Sequence, residues 1–163
     1  MVTRLIATIL VCAITSGCAS PAQPRSVKIA IAGETFSLEL ALDTPSRVRG
    51  LMDRLAIDPH GGMIFVFPDA EERSFWMADC FIDIDLIFLD SRGTITSTHE
   101  MKIESPQLDG ESVWDYEGRL KHYFSNGPSR FAIELSAGSI DRLELRVNDH
   151  ISLDLTYLRN LVR

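Results

Sequence analysis

Two apolar runs limit what this chain can fold into. Met63 to Phe67, MIFVF, is apolar throughout and suits a strand covered on both faces. Phe81 to Leu89, FIDIDLIFL, is a strong strand whose start places Phe81, Asp83 and Asp85 on one face and Ile82, Ile84 and Leu86 on the other. Gly61-Gly62 precedes the first run, and Ser91-Arg92-Gly93 turns the second into Thr94 to Ile103. Both runs are too short for typical helices, so a sheet is required.

The flanking sequence extends that sheet. Ser26 to Ala32 and Thr35 to Leu42 alternate polar and apolar residues around a tight Ala32-Gly33-Glu34 turn, which predicts a hairpin. Thr44 as N-cap and Pro45 at the first helical position open a helix with Val48, Leu51, Met52 and Leu55 on its apolar face, ended by Asp58 to Gly62. Pro68 to Arg73 reads as a polar connection and Ser74 to Met77 as a short strand. Glu104 to Ser129 has little periodicity, and loops of that length are often functional. Arg130 to Leu135 is strand-like. Ala137-Gly138-Ser139 leads into a short helix through Leu145, and Asn148-Asp149 turns into a last strand, His150 to Leu155. The sum is an α+β domain, mostly antiparallel β with two short helices, as a curved sheet or small barrel.

The N-terminus gives an address. Arg4 precedes an apolar stretch of about ten residues, half of what a spanning helix needs, and small residues lead to Cys18. This resembles a secretory signal ending in a bacterial lipobox, with Thr15 where leucine is usual. It implies removal of residues 1–17, lipidation of Cys18 and a Pro-containing tether over 18–25. Ala19 after the cysteine points to the outer membrane, on its periplasmic face. The membrane is then a partner through the lipidated Cys18. A single domain follows over 26–158, with a C-terminal tail at 159–163.

Roughly 140 residues beyond the tether are enough for one core. The net charge of -7 and the absence of a basic cluster argue against a nucleic-acid partner. Of three cysteines, Cys12 leaves with the signal and Cys18 is the lipid site. Cys80 alone cannot form an intramolecular disulfide or a cysteine-rich zinc framework.

Four segments together carry a family resemblance: RGLMDR (49–54), GMIFVF (62–67), SFWMADCFIDIDLIFLD (74–90) and FAIELSAG (131–138). In order and spacing they resemble the DUF192 family from about Val27 to Leu155. The resemblance implies a compact, mostly β domain, often behind a signal peptide. The family has no established biochemical role, so no catalytic residue is implied. Ala78-Asp79-Cys80 stands where the family commonly has Lys-Asn-Thr, Asp83 where a proline is frequent, and Asn148 where a glycine is usual.

Candidate site residues follow from misplaced polarity and aromatics. Trp76 and Met77 either line a ligand groove or belong to the core. Asp85, inside an apolar strand, needs a partner: a salt bridge to Arg49 or Arg54, or a polar site in a barrel mouth. Trp114 and Tyr116, with Lys121 to Phe124, form a recognition lid or plug the barrel's open end. Asp83 with Asp85 as an acid–base pair, or Cys80 with His60, His99 or His122 as base, would support a small envelope hydrolase or transferase. Asp79 beside Cys80 disfavours its thiolate. Met52, Met63, Met77, Met101, His99 and Cys80 supply soft-metal ligand types for copper without a metal-binding spacing. No metal or cofactor is called for. The expectation is a non-catalytic binding or accessory domain in the cell envelope, engaging a small ligand or envelope protein near Arg49, Trp76, Met77, Asp85, Trp114 and Tyr116.

Overall fold

The computed structural model describes residues 25–162. The signal peptide, Cys18 and all of the tether except Arg25 lie outside the described residues. A six-stranded sheet forms the centre, in the order β1-β2-β3-β8-β5-β6, beside a two-stranded sheet of β4 and β7. The strands are β1 (Ser26–Ile31), β2 (Glu34–Ala41), β3 (Met63–Glu71), β4 (Ser74–Phe75), β5 (Ile84–Leu89), β6 (Ile95–Met101), β7 (Tyr123–Phe124) and β8 (Ser129–Ser136). The helices are α1 (Thr44–Arg49), α2 (Val113–Arg119), α3 (Ser139–Arg142) and α4 (Leu155–Leu161).

The fold class is the expected one: α+β, with every named strand pair antiparallel except β2 with β3. The sheet does not close into a barrel, because β1 and β6 remain its edges. The hairpin forms as read. Ala32 (φ 48) and Gly33 (φ 84) both take positive φ in the turn, which matches the twist of the flanking strands.

The sheet is covered on both faces. One face joins Phe36, Ile64, Ile87 and Ile133 to Ile140 and Leu158 of the C-terminal segments. The opposite face joins Phe65, Leu86, Phe88 and Ala132 to Leu51, Met77, Cys80 and Tyr123. Alternation along β8 divides its residues: Phe131, Ile133 and Leu135 go to the first cluster and Ala132 to the second.

Several local expectations are corrected. The cap of α1 is Asp43, not Thr44. The Asp43 carboxylate accepts from the Ser46 amide at 2.8 Å, and the Ser46 hydroxyl lies 3.2 Å from the Asp43 amide. The helix stops at Gly50, whose φ of 47 suits a residue without a Cβ, rather than running toward Asp58. Leu51 therefore turns into the core, while Leu55 stays 81 % exposed. The polar connection after Phe67 instead prolongs β3 to Glu71. The last strand does not form. His150 makes an isolated bridge with Thr94, and Asp154 caps α4 by accepting from the Tyr157 amide at 2.9 Å. Residues 159–161 belong to α4.

The long segment after β6 contains structure of its own. Ser112 caps α2, accepting from the Asp115 amide at 3.1 Å, and β7 pairs with β4. Tyr116 and Leu120 pack with Ala78 in a small satellite cluster, joined by Met52 and Trp76. With no barrel, there is no mouth for this segment to plug.

Candidate binding cleft

A cleft with about 190 Å³ of free space lies between α1, the turn after it, and β3, β4 and β8. That is room for roughly six waters, or a small molecule. Its apolar walls include Val48, Leu51, Phe65, Phe67 and Phe75. Its polar lining includes Arg47, Arg49, Arg73, Trp76, Cys80 and Glu134.

Glu134 occupies the middle of β8, opposite Met63 on β3 and Leu86 on β5. It is 5 % exposed, and its Oε2 has no hydrogen-bond partner. Burial pushes its carboxyl up to about 8, opposed only by the Leu51 backbone amide. At neutral pH it is mostly protonated. The turn after α1 lies against it: a Cβ built on Gly50 would sit 3.5 Å from Oε2 and 3.4 Å from Phe65 Cζ.

Two more buried polar atoms without partners belong to lining residues, Trp76 Nε1 and Arg73 Nε. The Arg73 guanidinium lies 4.3 Å from the centre of the Phe67 ring and pairs with Asp69. Arg49 pairs with Asp53 at 3.6 Å. Arg47 donates to the Leu42 carbonyl at 2.8 Å, the Val66 carbonyl at 3.1 Å and the Thr44 hydroxyl at 3.3 Å. Cys80 donates its thiol to the Ala78 carbonyl at 3.3 Å. Burial, then the Glu134, Asp79 and Asp53 carboxylates, pushes that thiol up to about 12, the direction expected from Asp79 beside it.

The residues singled out from sequence divide between regions. Arg49, Trp76 and Cys80 line the cleft together. Met77 does not: it is core, packed with Phe65, Leu86 and Phe88. Trp114 on α2 is 85 % exposed, while Tyr116 on the same helix is buried and its hydroxyl accepts from the Asp79 amide at 3.0 Å. Neither lines the cleft.

Asp85 needs the largest correction. It pairs with neither Arg49 nor Arg54, which engage Asp53 and Glu39. Asp85 stands opposite Leu135 in the β5–β8 register, whereas Glu134 stands opposite Leu86, so the two carboxyls project from opposite faces of the sheet. Asp85 Oδ2 accepts from the Ile140 amide at 2.7 Å, in the first turn of α3. Burial still raises its carboxyl, with the Ile140 and Gly138 amides acting against that rise.

The catalytic constellations are not assembled. Asp83 accepts from the Ile103 amide at 2.9 Å and meets Lys102 at 3.2 Å, while Asp85 turns to Ile140. His60 meets Glu34, His99 meets the Phe124 carbonyl, and His122 meets the Ser74 hydroxyl, so none is engaged with Cys80. Among the described residues, no three His, Cys, Asp or Glu side chains group as a metal would require. Met63, Met77 and Met101 pack with Cys80 inside one apolar cluster.

Sequence reasoning missed Glu134, Arg47 and Arg73. A signal existed for the first: FAIEL places one carboxylate in an otherwise apolar strand, as FIDIDLIFL does for Asp85. Nothing in the spacing distinguishes Arg47 or Arg73 from other surface arginines.

Known proteins resemble this chain in fold more than in described role. A crystal structure of a candidate transcription regulator from Sinorhizobium meliloti 1021 is 28% identical, covering 78% of this chain and 91% of its own, with a TM-score of 0.61. A protein of unknown function from Novosphingobium aromaticivorans DSM 12444 is 22% identical, covering 83% of this chain and 94% of its own, with a TM-score of 0.65. No curated protein matches. Over residues 27–153 the chain matches the model of DUF192 (Uncharacterized ACR, COG1430), and it belongs to that family.

Proposed function

We propose that this protein is an exported, lipid-anchored binding domain of the bacterial cell envelope, and that the cleft between α1 and β8 is its ligand site. One observation carries the reading of the cleft: the Glu134 carboxyl is buried in its lining with Oε2 unpartnered. An unsatisfied buried polar atom costs about 1–3 kcal/mol. Groups of that kind concentrate where a ligand completes the hydrogen bonds. Trp76 Nε1 and Arg73 Nε, unpartnered in the same lining, add to the pattern.

A binding role fits better than a catalytic one. The thiol in the cleft is held far from its reactive form, and no base is engaged with it. A regulatory role through nucleic acid, suggested only by the description of the Sinorhizobium protein, fits poorly with a net charge of -7.

Export rests on the N-terminal residues alone: the short apolar stretch, the small residues and Cys18. Fractionation tests it. The parent chain should follow the membrane and a Cys18→Ser chain should not. Equal membrane partition of both, or an uncleaved leader in the cytosol, contradicts the anchor.

A thermal-shift screen of the purified protein against small acids, glycans and metals tests the cleft. Compounds that raise the melting temperature should lose the effect in Val48→Trp, which places an indole at the exposed rim. Stabilisation that survives this change puts the site elsewhere.

A further inference from the structure

The lining of the cleft is biased toward hydrogen-bond donors. Trp76 Nε1 and Arg73 Nε can only donate, and both lack acceptors. Glu134 adds a third group without a partner at Oε2, and in its protonated form it donates as well.

The charge is equally uneven. Arg49 and Arg73 are neutralised by Asp53 and by Asp69 with Glu71. Arg47 is different. Its guanidinium is held by two carbonyls and one hydroxyl, all uncharged, and forms no salt bridge among the described residues. Those contacts fix the guanidinium in place beside the Phe67 ring, 5.5 Å from its centre, and the exposed Asp43 carboxylate feels its charge without forming a direct ion pair with it. A held cation in a lining that also carries unpartnered donors suits an anion with several acceptor atoms.

The walls narrow the class. Phe65, Phe67, Phe75 and Val48 offer an apolar surface that a bare inorganic anion cannot use. A ligand amine would meet the Arg47 charge, with the Glu134 carboxyl as the one unpartnered buried acceptor of the lining among the described residues.

We propose that the cleft binds a small organic carboxylic acid as its anion, the carboxylate toward Arg47 and Trp76 and the apolar body against the phenylalanine walls. This deepens the reading of the cleft as a ligand site and rests on it.

Tryptophan fluorescence tests the proposal. The chain has two tryptophans, so a Trp114→Phe protein leaves Trp76 as the only reporter, and binding by the Val48→Trp variant, which adds an indole, is read by thermal shift instead. The probes are benzoate, octanoate, benzylamine, benzyl alcohol and inorganic phosphate. Benzoate and octanoate should change Trp76 emission with a Kd tighter than about 1 mM, and the other three should bind at least about tenfold more weakly. Arg47→Gln should weaken benzoate at least about tenfold, and Arg54→Gln, outside the cleft, should leave it unchanged. If Arg47→Gln does not fold, the comparison of benzoate with its amine and alcohol in the parent protein decides the matter alone. Benzylamine or benzyl alcohol binding as well as benzoate, with binding abolished by Val48→Trp, overturns the acid and keeps the ligand site. Phosphate binding as tightly as benzoate overturns the apolar body. No binding by any probe, or benzoate binding that survives Val48→Trp, overturns the proposal and counts against the cleft itself.

Discussion

Asp85 and Glu134 are buried carboxyls on neighbouring central strands, and they face opposite sides of one sheet. On the side that the C-terminal segments cover, Asp85 receives the Ile140 amide at 2.7 Å and ties β5 to α3. On the side that α1 and the small sheet cover, Glu134 keeps one oxygen without a partner beside a cleft. Both carboxyls are raised by burial, but Glu134 lacks the pair of opposing amides that Asp85 has. The first carboxyl serves the architecture. The second is a cost the architecture does not need.

The largest expected effect is on pH-dependent stability. The folded chain holds the Glu134 proton more tightly than the unfolded chain does. The stability it contributes is therefore complete below its ordinary value of 4.5 and is lost as pH rises toward about 8. The slope approaches about 1.4 kcal/mol per pH unit inside that window. Urea unfolding at several pH values should show the decline in the parent protein and a flatter profile in Glu134→Gln. Asp85→Asn should alter the profile less, and only toward the acid end, because the opposing amides limit the rise there. Equal flattening by both variants would erase the contrast.

Replacing each carboxyl by methionine sharpens the difference. Glu134→Met should change the stability of the ligand-free protein by no more than about 1 kcal/mol at pH 8, since removal of the unsatisfied Oε2 is offset by the Leu51 amide left without its acceptor. Asp85→Met should destabilise it by about 1–3 kcal/mol, because the Ile140 and Gly138 amides are left unanswered with no unsatisfied oxygen removed in exchange. Chemical denaturation measures both. Destabilisation by Glu134→Met as large as by Asp85→Met would mean that Oε2 has a partner as well.

Cys80 reports on the cleft side without altering it. With its thiol near 12 rather than 9.0, the thiolate is about a thousandfold scarcer than for a free cysteine at the same pH. In a chain with Cys12 and Cys18 replaced by serine, alkylation at pH 8 should run at least about a hundredfold slower than for a model thiol. Labelling at the model rate would show that the cleft lining opens readily. The smallest effect belongs to Arg54. Its exposed pair with Glu39 involves neither carboxyl, so Arg54→Ala should cost no more than about 1 kcal/mol.

The sheet was legible because periodicity reports burial. MIFVF and the alternating N-terminal hairpin became strands, and FIDIDLIFL did so from Ile84 onward, with Phe81 to Asp83 outside the strand. The C-terminal strand was misread because Leu153 and Leu155 alternate with polar residues, although Asp154 caps a helix that starts at Leu155. The early helix was overextended because Leu51 and Leu55 fit its period, while Gly50 ends it.

The cleft was half legible. Arg49 and Trp76 were placed near a ligand, and both line it. Asp85 was flagged by sound logic, since a carboxylate in an apolar strand needs a partner. Its partner is a backbone amide 55 positions away, which side-chain pairing cannot anticipate. The same logic applied to Glu134 identifies the unsatisfied carboxyl. Strand register then decides which face each one meets.

The account stands or falls on the state of Glu134. A carboxyl-selective NMR titration with labelled glutamate, assigned through Glu134→Gln, follows that group directly. It predicts a midpoint near 8 and a Glu134 signal that shifts when benzoate is added. A midpoint in the ordinary carboxylate range, with a signal indifferent to benzoate, would contradict it.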